Sequence, residues 1–292
     1  TKLIWEASVC ESYVSTKKLI GALGGWAKLS RYRLHRLETS GQSPSQKGVY
    51  VDTRTKKLVF LKSAPRQEYL NQLTLWQISQ KSKVTIPKPM SFVHINGRPT
   101  IVMEYFPQAK DLISSNVETK TKAYLQILDF LNSLDPKIFF RRSPAYFQLL
   151  SLPYVLLLNI ISYPAHISLF LKASLNILLC SPDWIGLKSD HVCHGDINVA
   201  NIMALKNKVV LLDFSRCFVS HKFYNLAQAL NSSWFEKNFA QKLASLIVPK
   251  SDFKHRQILN SFVIYNLLQR LTAKYPKPDQ EQFYLQRLKS LL

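Results

Sequence analysis

His194-Gly195-Asp196-Ile197-Asn198-Val199-Ala200-Asn201, followed by Leu211-Leu212-Asp213-Phe214, is the stretch from which the fold of this chain can be read. Asp196 stands where a carboxylate can accept a proton from a hydroxyl. Asn201, five residues on, and Asp213, twelve beyond that, can both reach a magnesium ion. Such a set suits phosphoryl transfer, where the protein gives little covalent help and must hold a nucleophile in line while metal neutralises charge. Lys208-Val209-Val210-Leu211-Leu212 is an apolar, β-branched run after a polar turn at Lys206-Asn207. It is predicted to be a buried strand that delivers Asp213 at its end, with Asp196 and Asn201 on a catalytic loop. Either fragment alone reads as an ordinary turn or strand exit, and only the order and spacing of both carry the chemistry.

Upstream, Val49-Tyr50-Val51-Asp52, a turn at Thr53-Arg54-Thr55-Lys56, and Lys57-Leu58-Val59-Phe60-Leu61-Lys62 predict a β-hairpin ending in a lysine able to grip phosphates. Pro65 opens a helix in which Glu68 can pair with Lys62. Ile86-Pro87-Lys88-Pro89 breaks that helix. Ser91–His94 and Thr100–Phe106 then form a second hairpin about the turn Asn96-Gly97.

Four blocks in this order resemble the aminoglycoside phosphotransferase and choline kinase superfamily, the small-molecule branch of the protein-kinase-like fold. They are Val59–Lys62, Arg66-Gln67-Glu68, Ile101–Phe106, and His194–Asn201 with Leu211–Phe214. The resemblance implies an α+β, bilobal protein-kinase-like fold with a small antiparallel N-lobe sheet and a mainly helical C-lobe. The nucleotide-binding N-lobe would span residues 1–106 and end in the hinge; the C-lobe, 107–292, would hold the catalytic loop and acceptor-binding helices. It further implies ATP and Mg2+ as cofactors. Asp196 would be the catalytic base, Asn201 and Asp213 the magnesium ligands, Lys62 the phosphate clamp held by Glu68, and Glu104-Tyr105-Phe106 the hinge that reads adenine.

The chain departs from that pattern in places. The segment Glu38–Gly48 lies where a phosphate-covering loop belongs and lacks a Gly-x-Gly-x-x-Gly spacing, although a polar loop with Ser40 and Gly41 can still offer amides to phosphate. Gly21-Ala22-Leu23-Gly24-Gly25 has no Walker continuation and reads as a turn. Tyr224-Asn225-Leu226-Ala227 has Asn where the family usually has Asp, so a weaker helix contact is expected there. Only eight residues separate Phe214 from the helical pattern at Phe223, with no Ala-Pro-Glu, which argues against a folded protein substrate.

The 292 residues are 47% hydrophobic, enough for a two-lobed enzyme. Cys10, Cys180, Cys193 and Cys217 form no Cys-x-x-Cys pair, so neither a zinc site nor a disulfide framework is expected and a reducing, cytoplasmic location is the default. The chain begins at Thr1 with no initiator Met and no signal-peptide pattern, so a trimmed N-terminus is expected.

The formal net charge is +21. An anionic partner or surface would suit that sign, yet the basic residues are dispersed, so no specific nucleic acid is expected. From Ser215 to Leu292 there are twelve Lys and Arg against four acids. A polycationic aminoglycoside is thereby disfavoured, and a neutral or anionic small-molecule or lipid-linked alcohol is favoured.

Leu152–Leu171 is a run of twenty residues without a formal charge, which Tyr163-Pro164 should break in two. Buried C-lobe helices are expected there rather than a membrane span. An apolar face at a membrane interface beside Arg141, Arg142 and Lys172 would be a peripheral membrane contact. The competing reading of the whole chain is a catalytically silent kinase-like module that docks on anionic membrane or nucleic acid, against which stand Lys62, Asp196, Asn201 and Asp213.

Overall fold

The computed structural model describes residues 31–37, 47–95, 97–139, 142–232, 237–249, 251–272 and 278–292. Ser40, Gly41 and the Gly21–Gly25 turn lie outside them. The chain divides into two compact units, one of residues up to Trp76 with Pro87–Pro107, the other of Gln77–Ile86 with residues from Gln108 onward.

The first unit contains β1 (Tyr32–Leu37), β2 (Lys47–Asp52), β3 (Leu58–Ser63) and most of helix α1 (Arg66–Ser79). After β4 (Val84–Thr85), which belongs to the second unit, come β5 (Pro89–Ile95) and β6 (Arg98–Glu104). The five strands of the first unit form an antiparallel sheet in the order β1-β2-β3-β6-β5. Strand alternation sorts the two faces. Val59 and Leu61 of β3 join Tyr32 and Val102 in one apolar cluster, while Phe60 packs with Ile101, Met103, Phe92 and Tyr69 of α1 in the other. Lys62, two residues after Phe60, therefore points to the helix-bearing face.

The second unit continues with β7 (Lys110–Asp111), α2 (Val117–Asn132), α3 (Ala145–Ser162), α4 (Ile167–Leu179) and the short α5 (Ser181–Ile185). Next are β8 (His191–Cys193), β9 (Ile202–Leu205), β10 (Lys208–Leu211) and β11 (Phe218–Ser220). Helices α6 (Phe223–Ser232), α7 (Lys237–Ile247), α8 (Phe253–Leu271) and α9 (Pro278–Leu291) complete it. α2 starts at Val117 because the Asn116 side chain accepts from the Thr119 amide and caps the first turn. Tyr163-Pro164 does separate the charge-free run into two helices: the α3 pattern stops at Ser162, and Pro164 starts a 3-10 turn.

Helix α8 is the axis of the second unit. It is apolar nearly all round from Ile258 to Leu268, as a helix surrounded by others must be. The Phe262 ring is sandwiched between Trp184 at 3.7 Å and His221 at 3.9 Å, and the Trp184 indole N–H donates to the Ser261 hydroxyl at 2.8 Å. Burial of an aromatic side chain of this size contributes on the order of 1.5–3 kcal/mol. α3 is tied to the same helix: the Asn159 amide donates to the Leu268 carbonyl at 3.0 Å, and the Ser151 and Tyr265 hydroxyls are hydrogen-bonded at 2.5 Å.

Two small sheets complete the second unit. β10 pairs in parallel with β4 and antiparallel with β9, which pairs with β7. β8 pairs antiparallel with β11, setting Cys193 opposite Phe218. Both cysteines near the loop, Cys193 and Cys217, are buried. Burial pushes the Cys193 thiol up, as befits an inert core residue.

His221 is buried, with both ring nitrogens unpartnered among the described residues, and burial pushes its pKa down to about 3. The unfolded chain takes up this proton near pH 6.5 and the folded chain does not, so the stability of the fold falls as pH drops below about 6.5. At pH 5 the deficit from this one group should approach roughly 2 kcal/mol. A His221→Phe substitution, which keeps the ring against Phe262, is expected to raise the melting temperature more at pH 5 than at pH 8. An equal shift at both pH values in thermal unfolding would show that proton linkage at His221 is negligible.

Candidate functional site

The segment 192–197 is held by helix α6 through two amide side chains one turn apart. Asn225 accepts from the His194 N–H at 3.1 Å and donates to the Val192 carbonyl at 2.9 Å. Gln228 accepts from the Ile197 N–H at 3.3 Å and donates to the Gly195 carbonyl at 2.9 Å. Four backbone groups that the loop cannot pair internally are thereby satisfied. The Asn at 225 uses both ends of its amide, which a carboxylate, having no donor, could not. Sequence reading singled out Asn225 only as a departure and missed Gln228. The available signal was three amides, Asn225, Gln228 and Asn231, spaced i, i+3 in a largely apolar helix.

The loop is also stitched to the segment after β10. The buried His194 imidazole hydrogen-bonds the Leu212 carbonyl through Nε2 at 2.9 Å, which requires the Nε2–H tautomer, and its ring meets Phe214 edge-on at 5.3 Å. Burial lowers the His194 pKa, with the charges of Asp196 and Asp213 opposing, so the ring acts as a neutral strut. The Cys217 thiol donates to the His194 carbonyl at 3.7 Å. Gly195, at φ +82°, packs so closely on the Arg216 carbonyl that a methyl group there would overlap it.

These contacts bring the predicted residues of the second unit to one place. Asp196 Oδ1 accepts from the Asn198 amide at 2.8 Å, and Oδ2 from the Asn201 amide at 3.3 Å. The same Asn201 nitrogen donates to the Asp196 carbonyl at 2.9 Å, and the Leu212 N–H donates to the Asn201 carbonyl at 2.9 Å. That last bond, from the Leu212 amide, sets Asp213 one residue beyond the loop's own backbone contact. Asp213 itself has φ +64°, a left-handed conformation that Asp tolerates better than most residues, and its Oδ1 accepts from the Ser215 hydroxyl at 2.8 Å. The strand ends at Leu211, so Asp213 leaves the ladder and turns rather than continuing it.

In the first unit Lys62 and Glu68 form an ion pair at 2.7 Å, with Glu68 only 2% exposed. The six-residue interval suffices because β3 ends at Ser63, Ala64-Pro65 makes the connection, and Glu68 lies in the first turn of α1. The stretch Glu104-Tyr105-Phe106 leaves the end of β6, where the Glu104 N–H donates to the Lys88 carbonyl at 2.9 Å. Among the described residues no cluster of three His, Cys, Asp or Glu forms a metal cage.

No family model matches the chain, and no curated protein matches its sequence. Solved structures do. A thermostable mutant of aminoglycoside phosphotransferase APH(4)-Ia, in its apo form, is 11% identical with a TM-score of 0.70, over 88% of this chain and 94% of that one. A ternary complex of a mutant of the same enzyme with AMP-PNP and hygromycin B gives 12% identity and a TM-score of 0.69, over 94% and 96%. Choline kinase LicA from Streptococcus pneumoniae gives 14% and 0.57, over 95% and 98%. At these identities the likeness is one of fold: the chain has the kinase-like α+β architecture of these proteins.

An Asn225→Leu substitution should leave the His194 N–H and Val192 carbonyl buried without partners and cost about 2–4 kcal/mol. Urea unfolding checks this, and a loss under about 0.5 kcal/mol would mean that the loop is held by other contacts.

Proposed function

We propose that this chain is an ATP- and magnesium-dependent phosphotransferase acting on a hydroxyl of a small molecule, sugar or lipid headgroup. The observation that carries the reading is the Asp196 carboxylate, each oxygen of which accepts one amide hydrogen bond, with Asn201 and Asp213 joined to the same loop. Each oxygen keeps a second lone pair, so the carboxylate can take a hydroxyl proton while Asn198 and Asn201 fix its orientation. With the Asn201 nitrogen committed to Asp196, its amide oxygen is the atom available to a cation.

The donor set fits magnesium, a hard ion that prefers carboxylate and carbonyl oxygens, and Asn201 and Asp213 would hold it. Bound there, it would neutralise charge on the transferring phosphoryl group. Lys62, oriented by Glu68, is assigned to the nucleotide phosphates, and the backbone of Glu104-Tyr105-Phe106 to the adenine edge. Ser40 and Gly41 are assigned to the phosphate-covering loop on sequence grounds alone.

The acceptor is expected to be neutral or anionic. The proteins of like fold include complexes with hygromycin B and spectinomycin, and a choline kinase. Here, between Ser215 and Leu292, only four acids stand against twelve basic residues, and one of the four, Asp252, already caps α8 and pairs with His255. That balance argues against a polycationic acceptor.

ADP release in the presence of sugars, amino alcohols and lipid alcohols, with aminoglycosides for contrast, tests the acceptor class. Asp196→Ala and Asp213→Ala are each expected to lower turnover by about a hundredfold or more. Asp213→Ala should also weaken magnesium-dependent ATP binding in a thermal-shift assay, whereas Asp196→Ala should spare it. Unchanged turnover in purified Asp213→Ala would rule the mechanism out.

A further inference from the structure

Helices α3 and α4 present an apolar face to solvent. On α3, Leu150, Tyr154, Leu157 and Ile161 recur at helical spacing on one stripe and are all exposed, Leu150 by 71%. On α4, Leu171, Leu175 and Leu178 make a matching stripe, exposed by 51–57%. The two helices pack against each other. Their opposite sides bury Leu152, Val155 and Asn159 of α3 and Phe170, Ala173 and Ile177 of α4. A surface helix of a soluble domain normally turns charged residues outward. These two turn leucines outward while burying Gln148, Asn159 and Ser174, and a contiguous apolar face of this kind marks an interaction surface.

The charge around the face selects the partner. From Ser143 to Pro182 there is no acid, and the single formal charge is Lys172, exposed on α4. Arg142, exposed just before α3, donates to the Ser189 carbonyl at 3.5 Å and so stands near exposed Lys188. The adjoining acids are engaged: Asp183 pairs with Lys254 at 2.8 Å and Asp190 with His191 at 2.6 Å. A leucine- and tyrosine-rich face beside the exposed cations Arg142, Lys172 and Lys188, on a chain of net charge +21, complements an anionic lipid surface.

α3 is long and apolar enough to cross a membrane by length and composition. Its inner side, however, is bonded to α8 through Asn159 and Ser151, and the Tyr163 hydroxyl donates to the Leu271 carbonyl at 3.4 Å. Crossing would break those contacts, whereas lying flat uses only the open stripe. We propose that the α3–α4 face docks the folded protein peripherally on anionic membranes. Vesicle binding is read without turnover, so it stands or falls separately from phosphotransfer.

The test is sedimentation of the full chain with vesicles of phosphatidylcholine alone or with about 30 mol% phosphatidylglycerol, at low and high salt. Binding is expected to the anionic vesicles, at least about tenfold tighter than to the neutral ones. The variant carrying Leu150→Glu, Leu157→Glu and Leu175→Glu should lose about tenfold or more in partitioning. Hydroxyl-radical footprinting of the unmodified protein reads the same face without any substitution, and vesicles should protect Leu150, Tyr154 and Leu157. Three results would overturn the proposal: no vesicle binding at low salt, binding without protection of this face, or a dimer in sedimentation velocity that the triple variant dissociates while vesicles stay unbound.

Discussion

The hydrogen bond between the His194 imidazole and the Leu212 carbonyl is the contact on which the site in the second unit depends. Together with the Leu212 N–H bond to the Asn201 carbonyl, which extends the β9–β10 hairpin by one step, it ties the loop bearing Asp196 to the segment bearing Asp213. Burial keeps the ring neutral, which leaves Nε2–H to donate to the carbonyl. Around that bond the packing of Phe214, the Cys217 thiol and the close approach of Gly195 to Arg216 form one contiguous stitch. Asn225 and Gln228 then fasten the loop to α6 from the other side. Rigidity in this region therefore comes from side-chain bonds to backbone, because the loop itself has little regular structure.

Electrostatics divides the molecule differently. Carboxylates are scarce, and several of them are spent on ion pairs or caps: Asp52 with Arg31, Glu68 with Lys62, Asp252 on α8. Asp196 is held instead by the neutral amides of Asn198 and Asn201, which fix the orientation of the carboxylate.

Much of this was legible in the residues. Hairpin strands showed as β-branched runs around turn signals, and the β10 strand as a short apolar run after Lys206-Asn207, because both are local patterns. That Asp196, Asn201 and Asp213 would be brought close was legible because their residue types and spacing form one pattern, and the structure joins the loop of the first two to the segment of the third. Less legible were contacts made across long intervals of chain. Gln228 carries only its spacing from Asn225 as a local mark, since its role exists only once α6 lies beside the loop. The Lys62–Glu68 pair closes over only six residues because the abrupt passage from β3 into α1 puts the carboxylate in the helix's first turn. The exposed stripes of α3 and α4 were visible as an uncharged run, but which side would face α8 depended on tertiary packing.

Asp213 is an L-residue in a backbone conformation better suited to glycine, a departure that costs on the order of 1 kcal/mol. A descendant chain freed from any need for that carboxylate would gain stability by drifting to glycine at this position. Persistence of the acid against such a gradient would mark a lineage still under pressure to use it, so variation at residue 213 would serve as a natural record of where the chemistry was kept and where it was abandoned.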